Sequence, residues 1–231
     1  MCTKRLLPIF LISVMAPASM LWGQNTYVPD NNFEQALIDL GYDDTLDDFV
    51  LTENISGVTY LDVVDKEISD LTGIEDFTAL THLECQYNQL TSLDVSANTA
   101  LIGLWIYDNS LTSLDVTSNT ALGSLACENN QLTALDLSAN TALTGLNCYS
   151  NQLTSLDVSS NPVLTGLYCQ ENQLTSLDLS ANTSLTTLYC SNNQLTSMDV
   201  SSNTSLTDLE CGANQLTSLD LSANTSLTTL Y

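Results

Sequence analysis

The chain has 231 residues and carries 27 acidic groups against three Lys and Arg, for a formal net charge of −24 at neutral pH. That length leaves room for one elongated domain or two small ones. A surface this acidic repels nucleic acid and anionic lipid, and it is open to cations or basic partners.

The first element is a leader. Lys4 and Arg5 precede an apolar run from Leu6 to Ala16, and Ala18, Ser19 and Gly23 follow in a small, polar stretch. This is the order of a secretory signal peptide, and the apolar run is too short to span a bilayer. It predicts a signal peptide over residues 1–24 with cleavage near Gly23–Gln24, and so a secreted or cell-surface protein with no membrane insertion afterwards. Beyond residue 24, Lys66 is the only Lys or Arg.

The next stretch, residues 25–57, predicts an N-terminal helical cap. In "VPDNNFEQALIDLGYDD", Phe33, Ala36, Leu37 and Leu40 share one helical face. Asp30 or Asn31 is placed to cap that helix, and Gly41 to end it. "VTYLDVVDKEISDLTGIEDFTAL" then supplies Val58, Leu61, Val63, Ile68, Leu71, Ile74, Phe77 and Leu80 as one 22-residue unit.

From Leu80 onward the sequence repeats every 21 residues. Leu83, Leu104, Leu125, Leu146, Leu167, Leu188 and Leu209 form one column. Asn88, Asn109, Asn130, Asn151, Asn172, Asn193 and Asn214 form a second, and Asn98, Asn119, Asn140, Asn161, Asn182, Asn203 and Asn224 a third. In "LYC" at 167–169 the alternation points Leu167 and Cys169 inward and Tyr168 outward. One unit cannot bury its own apolar face, so neighbours stack and each column becomes a strip of core. The first Asn sits where the chain turns inward, and its amide there hydrogen-bonds backbone groups that the turn leaves unpaired. The second half of each unit, "LTSLDVSAN", repeats the same apolar logic. It predicts a second short strand or extended segment around Leu93–Val95 and its equivalents. No unit has length for a regular helix.

The consensus Leu-x-x-Leu-x-Cys-x-x-Asn-Gln-Leu-Thr-Ser-Leu-Asp-Val-Ser-x-Asn-Thr-x resembles the leucine-rich repeat, with Cys where that family has an apolar residue. More narrowly it resembles the secreted 21-residue repeats of Bacteroidota-type bacteria, related to internalin-like proteins. The resemblance covers residues 58–231. It implies a β-rich solenoid of in-register parallel strands, with little helix outside the cap. Tyr231 falls in mid-unit with no C-terminal cap after it, so the solenoid is expected to be incomplete. Relatives with this repeat commonly continue into a sorting or anchoring domain.

Three sets of residues suggest chemistry. Cys85, Cys127, Cys148, Cys169, Cys190 and Cys211 lie on the 21-residue grid, whose remaining point is Ile106; Cys2 lies in the leader. Exported protein allows disulfides, but side chains pointing the same way into a filled core do not face each other as a bridge requires. A line of thiols without nearby His on the grid is no zinc site. Isoleucine replaces a small hydrophobe and not a ligand, so free core thiols are expected. The second set, Asp94, Asp115, Asp136, Asp157, Asp178, Asp199 and Asp220, points outward. The Thr91, Ser92 and Ser96 columns offer it hydrogen bonds; Ca²⁺ is the alternative partner. "DDTLDD", Asp43–Asp48, invites the same idea without the spacing or Gly of an EF-hand loop. The third is the lone His82, which has no repeated nucleophile beside it. With no nucleophile elbow, phosphate loop or zinc motif, no enzymatic activity is expected.

Function is sought where the grid does not dictate the residue. One outward column reads Glu84, Trp105, Ala126, Asn147, Tyr168, Tyr189 and Glu210. The next reads Gln86, Tyr107, Glu128, Tyr149, Gln170, Ser191 and Gly212. Exposed Trp105, Tyr107, Tyr149, Tyr168 and Tyr189, flanked by Glu84, Glu128 and Glu210, predict a ligand-binding face. The expected partner is a protein or host surface. Alternatives are a glycan, a spacer supporting a further domain, or aromatic packing that only stabilises the sheet.

Overall fold

The computed structural model describes residues 23–231. All but the last two residues of the expected signal peptide, and Cys2 with it, lie outside the described residues.

Two short strands, Asn25–Tyr27 (β1) and Phe49–Leu51 (β2), pair antiparallel. Between them runs a helix, Asn31–Asp39 (α1). Asp30 caps it: its Oδ1 accepts from the N–H groups of Asn32 at 2.9 Å and Phe33 at 3.0 Å. These donors have no partner within the helix, which is why Asp is favoured there. Its Oδ2 accepts from the Ser69 N–H at 2.9 Å, the Ser69 hydroxyl at 2.7 Å and the Asp70 N–H at 3.0 Å. One carboxylate thus starts the helix and ties it to the first coil. Partial burial alone would raise its pKa; the Ser69 hydroxyl and the N–H groups of Ser69, Phe33 and Asp70 hold it below the ordinary value. Phe33, Ala36 and Leu37 face the core, but Leu40 does not. Gly41, at φ 80°, turns the chain at the helix end and leaves Leu40 at 44% exposure. Glu34 is buried instead, its Oε1 accepting from the N–H groups of Asp47 at 2.8 Å and Phe49 at 3.1 Å. A short helix, Thr52–Ile55 (α2), leads into the coils.

Nine short strands follow: Tyr60–Asp62 (β3), His82–Glu84 (β4), Gly103–Trp105 (β5), Ser124–Ala126 (β6), Gly145–Asn147 (β7), Gly166–Tyr168 (β8), Thr187–Tyr189 (β9), Asp208–Glu210 (β10) and Thr229–Leu230 (β11). Among the described residues they make one parallel sheet in chain order. Leu61 pairs with Leu83, Leu83 with Leu104, Leu104 with Leu125, and so on to Leu230. Every column of the sequence is therefore a straight stripe. The fold is a parallel β-solenoid whose one helix of more than four residues, among those described, is α1.

The stripes close the core as the periodicity predicts. The leucine column from Leu83 to Leu209 is sealed, as are Cys85, Ile106, Cys127, Cys148, Cys169 and Cys190. Cys211, in the last pair of coils, is half-buried. Asn130 shows how coils are joined. Its Nδ2 donates to the carbonyls of Ile106 at 3.1 Å, Cys127 at 3.1 Å and Glu128 at 3.2 Å, and its Oδ1 accepts from the Leu111 N–H at 2.9 Å. Two of these partners lie one coil back. The same set recurs at Asn151, Asn172 and Asn193. The residue before each of these asparagines is left-handed, with φ between 50° and 58° from Tyr87 to Ala213.

The second half of the unit takes the extended alternative and not the strand. It is extended at Asp94 but does not form a second sheet; one isolated bridge, Asp94 to Asp115, joins neighbouring coils there. Backbone donors are taken up locally instead. The Asn98 N–H donates to the Val95 carbonyl at 3.0 Å, and the Leu101 N–H to the Asn98 carbonyl at 3.1 Å. Two consecutive turns use the groups that a second ladder would need. Coil-to-coil bonding on this side comes from the second asparagine column. Asn119 donates to the Val95 carbonyl at 3.0 Å and to the Asn98 carbonyl at 2.9 Å.

Candidate binding face

Three outward columns cross the sheet. The first begins each strand: His82, Gly103, Ser124, Gly145, Gly166, Thr187 and Asp208. Two of its glycines, Gly103 and Gly166, make room for aromatic rings. A Cβ on Gly103 would lie 2.4 Å from the Trp105 ring, and one on Gly166 would lie 3.3 Å from that of Tyr168. Both rings therefore lie down over bare backbone. Trp105 also stacks on His82, with centroids 6.0 Å apart and planes at 14°. Tyr168 meets Tyr189 edge-on at 5.1 Å, and Tyr107 meets Tyr87 edge-on at 5.2 Å. The Tyr60 hydroxyl donates to Glu84 Oε1 at 2.7 Å.

This corrects the expectation of fully exposed aromatics. Trp105, Tyr107, Tyr149, Tyr168 and Tyr189 are all half-buried, and all but Tyr149 are laid against a neighbouring ring. Glu84 and Glu210 are half-buried too. Glu128 departs most: it is 6% exposed. Register places it between Tyr107 and Tyr149 in its column, one coil to each side. Burial pushes its carboxyl up to about 7, and the Asp108 charge adds to the rise. Burial likewise raises the phenols of Tyr107 and Tyr149.

The sequence reading missed a second feature of this face. Gln86 Oε1, Glu128 Oε2, Asn147 Oδ1 and Gln170 Oε1 are buried without a hydrogen-bond partner. These positions are visible in the sequence as outward polar letters with an aromatic one coil away, on both sides at Glu128 and on one side at Gln86, Asn147 and Gln170, and that neighbourhood is the signal for their burial.

The opposite side of the coil treats its acids differently. Asp94, Asp115, Asp136, Asp157, Asp178, Asp199 and Asp220 are exposed. Each accepts at 2.9 Å from the N–H two residues on, at Ser96, Thr117, Ser138, Ser159, Ser180, Ser201 and Ser222. In the first four the hydroxyl of that residue is the larger influence and its N–H the second; in the last three the order is reversed. All seven carboxyls sit below the ordinary value, so these bonds outweigh repulsion along the stripe. The Thr91 and Ser92 columns stay exposed beside them. Near the cap, burial and the charges of Asp47 and Asp44 raise Asp43. Among the described residues, no three His, Cys, Asp or Glu side chains converge as metal ligands would. Clefts of the molecule lie on this turn side, around Asp178 and Asp199, and beside the cap around Tyr42 and Asp47.

The grid cysteines are free thiols. Burial raises them, Cys169 to about 12, so they stay protonated and serve as core. His82 is held by stacking and by a contact of 3.0 Å between its Nδ1 and the Thr81 hydroxyl.

Known proteins share this geometry. The family described as Leucine Rich repeats (2 copies) matches residues 162–203. Internalin J of Listeria monocytogenes serotype 4b (strain F2365) is 45% identical over 75 residues, which is 32% of this chain and 8% of that protein. The structure of the functional domain of InlJ from Listeria monocytogenes, which includes a cysteine ladder, is 37% identical with a TM-score of 0.57, over 90% of this chain and 56% of that one. The chain is an internalin-like leucine-rich repeat protein. Internalin C2 from Listeria monocytogenes strain 4b F2365 shares the fold at 22% identity, with a TM-score of 0.83 over 90% of this chain and 97% of that one. This internalin-like chain thus spans little more than half of the InlJ domain and a small part of Internalin J. Among its described residues, no helix is long and apolar enough to cross a membrane.

Proposed function

We propose that the chain is a secreted or cell-surface recognition module without catalytic activity, and that it binds a protein partner through the sheet face. One observation carries this reading: the face that varies between coils collects Trp105, Tyr107, Tyr149, Tyr168 and Tyr189, whereas the turn side is nearly uniform Thr, Ser and Asp. Aromatic side chains on a rigid sheet give large contact area at small entropic cost. Stacking within the stripe holds the rings in place before any partner arrives. Export rests on the leader-like residues 1–24 and on the resemblance to internalins.

Beads coated with the full chain, or with a Trp105→Ala, Tyr168→Ala, Tyr189→Ala variant, test this by adhesion to cultured animal cells. The expected result is adhesion that the variant loses while keeping its circular dichroism, and that protease treatment of the cells abolishes. Loss on glycosidase treatment alone would favour the glycan reading. Equal adhesion by the variant overturns the assignment of the face.

A further inference from the structure

We infer that the sheet face at Glu128 receives a lysine or arginine side chain of a protein partner, seated between Tyr107 and Tyr149. The inference rests on the recognition reading above and narrows it to a chemistry.

The first argument is the kind of atom left unpaired. Every buried unpaired side-chain atom among the described residues is an acceptor: seven are the Oδ1 atoms of the Asn98 column, two lie at the cap, and four lie on this face at Gln86, Glu128, Asn147 and Gln170, of which Glu128 Oε2 alone belongs to a carboxylate. Buried polar atoms are nearly always partnered, and an unpaired carboxylate oxygen leaves a larger deficit than an amide's, so Glu128 Oε2 points to a donor that completes it. An ammonium or guanidinium brings three or five donors and no acceptor. A sugar hydroxyl brings acceptors along with its donor and leaves the imbalance in place. The second argument is charge. Glu84, Asp108, Glu128, Glu171, Asp208 and Glu210 belong to the strands or to the turns that follow them, and Lys66 is the only Lys or Arg beyond residue 24. The third is the tyrosine pair, whose ring faces attract a cation while its stem packs against them. Glu128 Oε2 is sealed from solvent, so the rings must part to admit the head group.

The seat is also pH-dependent. Glu128 must ionise to hold a cation, and in the free protein its carboxyl titrates near 7. Around it stand Asp108, Tyr107, Tyr149 and the thiols of Cys127 and Cys148; the phenols and thiols keep their protons through that range. Affinity for a cationic ligand therefore rises from pH 6 to pH 8.

Calorimetric titration of the full chain with acetylated, amidated tetra-arginine at pH 8 and low salt tests this, with tetra-citrulline as the uncharged counterpart. Glu128→Gln is expected to weaken tetra-arginine binding about tenfold or more, while its melting temperature holds or rises. Glu53→Gln, the same charge change on the cap, is expected to stay within about twofold. Equal effects of the two substitutions would show diffuse attraction to an acidic protein and overturn the inference. Equal binding of tetra-citrulline, abolished by Trp105→Ala and Tyr168→Ala, would overturn it while leaving the face as the binding surface. Tetra-arginine binding that survives Tyr107→Ala and Tyr149→Ala unchanged would overturn the seat, and survival of Trp105→Ala and Tyr168→Ala as well would overturn the face.

Discussion

The two sides of each coil handle the same problem in opposite ways. On the turn side an aspartate comes with its own solution: the residue two positions on donates a backbone N–H, and the carboxyl settles below its ordinary pKa. On the sheet side Glu128 is buried between tyrosines of neighbouring coils, has an unpartnered oxygen, and settles near 7. The turn-side aspartates are copied without change because each finds its donor two residues on. The unpaired oxygens of the Asn98 column are sealed inside the coil, whereas Glu128 lies on the face that varies, where an outside partner has something to add.

The halves should also differ in stability. Asn151 makes hydrogen bonds to two coils through both ends of its amide, while Asn161 only donates, to the Leu137 and Asn140 carbonyls, and its Oδ1 is unpaired. Asn151→Ala should cost about 3 kcal/mol and Asn161→Ala about 2 kcal/mol, because more buried backbone groups lose a partner in the first case. Denaturant midpoints check this, and equal losses would break the contrast.

Next in size is Glu128→Gln. The folded pKa is raised above that of an unfolded glutamate, so the wild-type protein loses stability as pH climbs from about 4.3 toward 7. The glutamine variant should be more stable by about 2 kcal/mol at pH 8 and indistinguishable at pH 4. A constant difference across that range would show that burial of charge is not the cause.

How much of this was legible in the sequence follows from range. The leucine, cysteine and asparagine columns needed only the period, and the structure places them as that period demands. The "LTSLDVSAN" half left strand and extended segment both open because its apolar spacing suits either. What favours the extended segment is the aspartate column, whose side chains take the N–H two residues on and start a run of turns. The burial of Glu128 was hidden because it depends on Tyr107 and Tyr149, each 21 residues away. Leu40 failed because Gly41 ends the helix before that side chain can turn inward.

Smaller effects sharpen the same contrast. Glu171 adopts φ 55°, a conformation Asn tolerates better, and the chain already uses Asn at the equivalent positions 129 and 192. Glu171→Asn should stabilise by about 0.5–1 kcal/mol in thermal melts. Smallest is Asp157→Ala, which removes one turn-side acceptor. Because the folded carboxyl is depressed, its contribution is present above the ordinary aspartate range and lost as pH falls below it. Asp157→Ala should therefore melt slightly below the wild type at pH 6 and together with it at the acid end, while Asp157→Asn, which keeps an acceptor oxygen, should show little change at either pH.

The contrast itself is measured most directly by following side-chain carboxyl carbon shifts in labelled protein by NMR as pH is varied. The account predicts that Glu128 titrates near 7 while the seven turn-side aspartates titrate below the ordinary value of about 3.9. If Glu128 titrates alongside exposed glutamates, near about 4.3, it is neither buried nor unpaired, and the two sides of the coil do not differ as described.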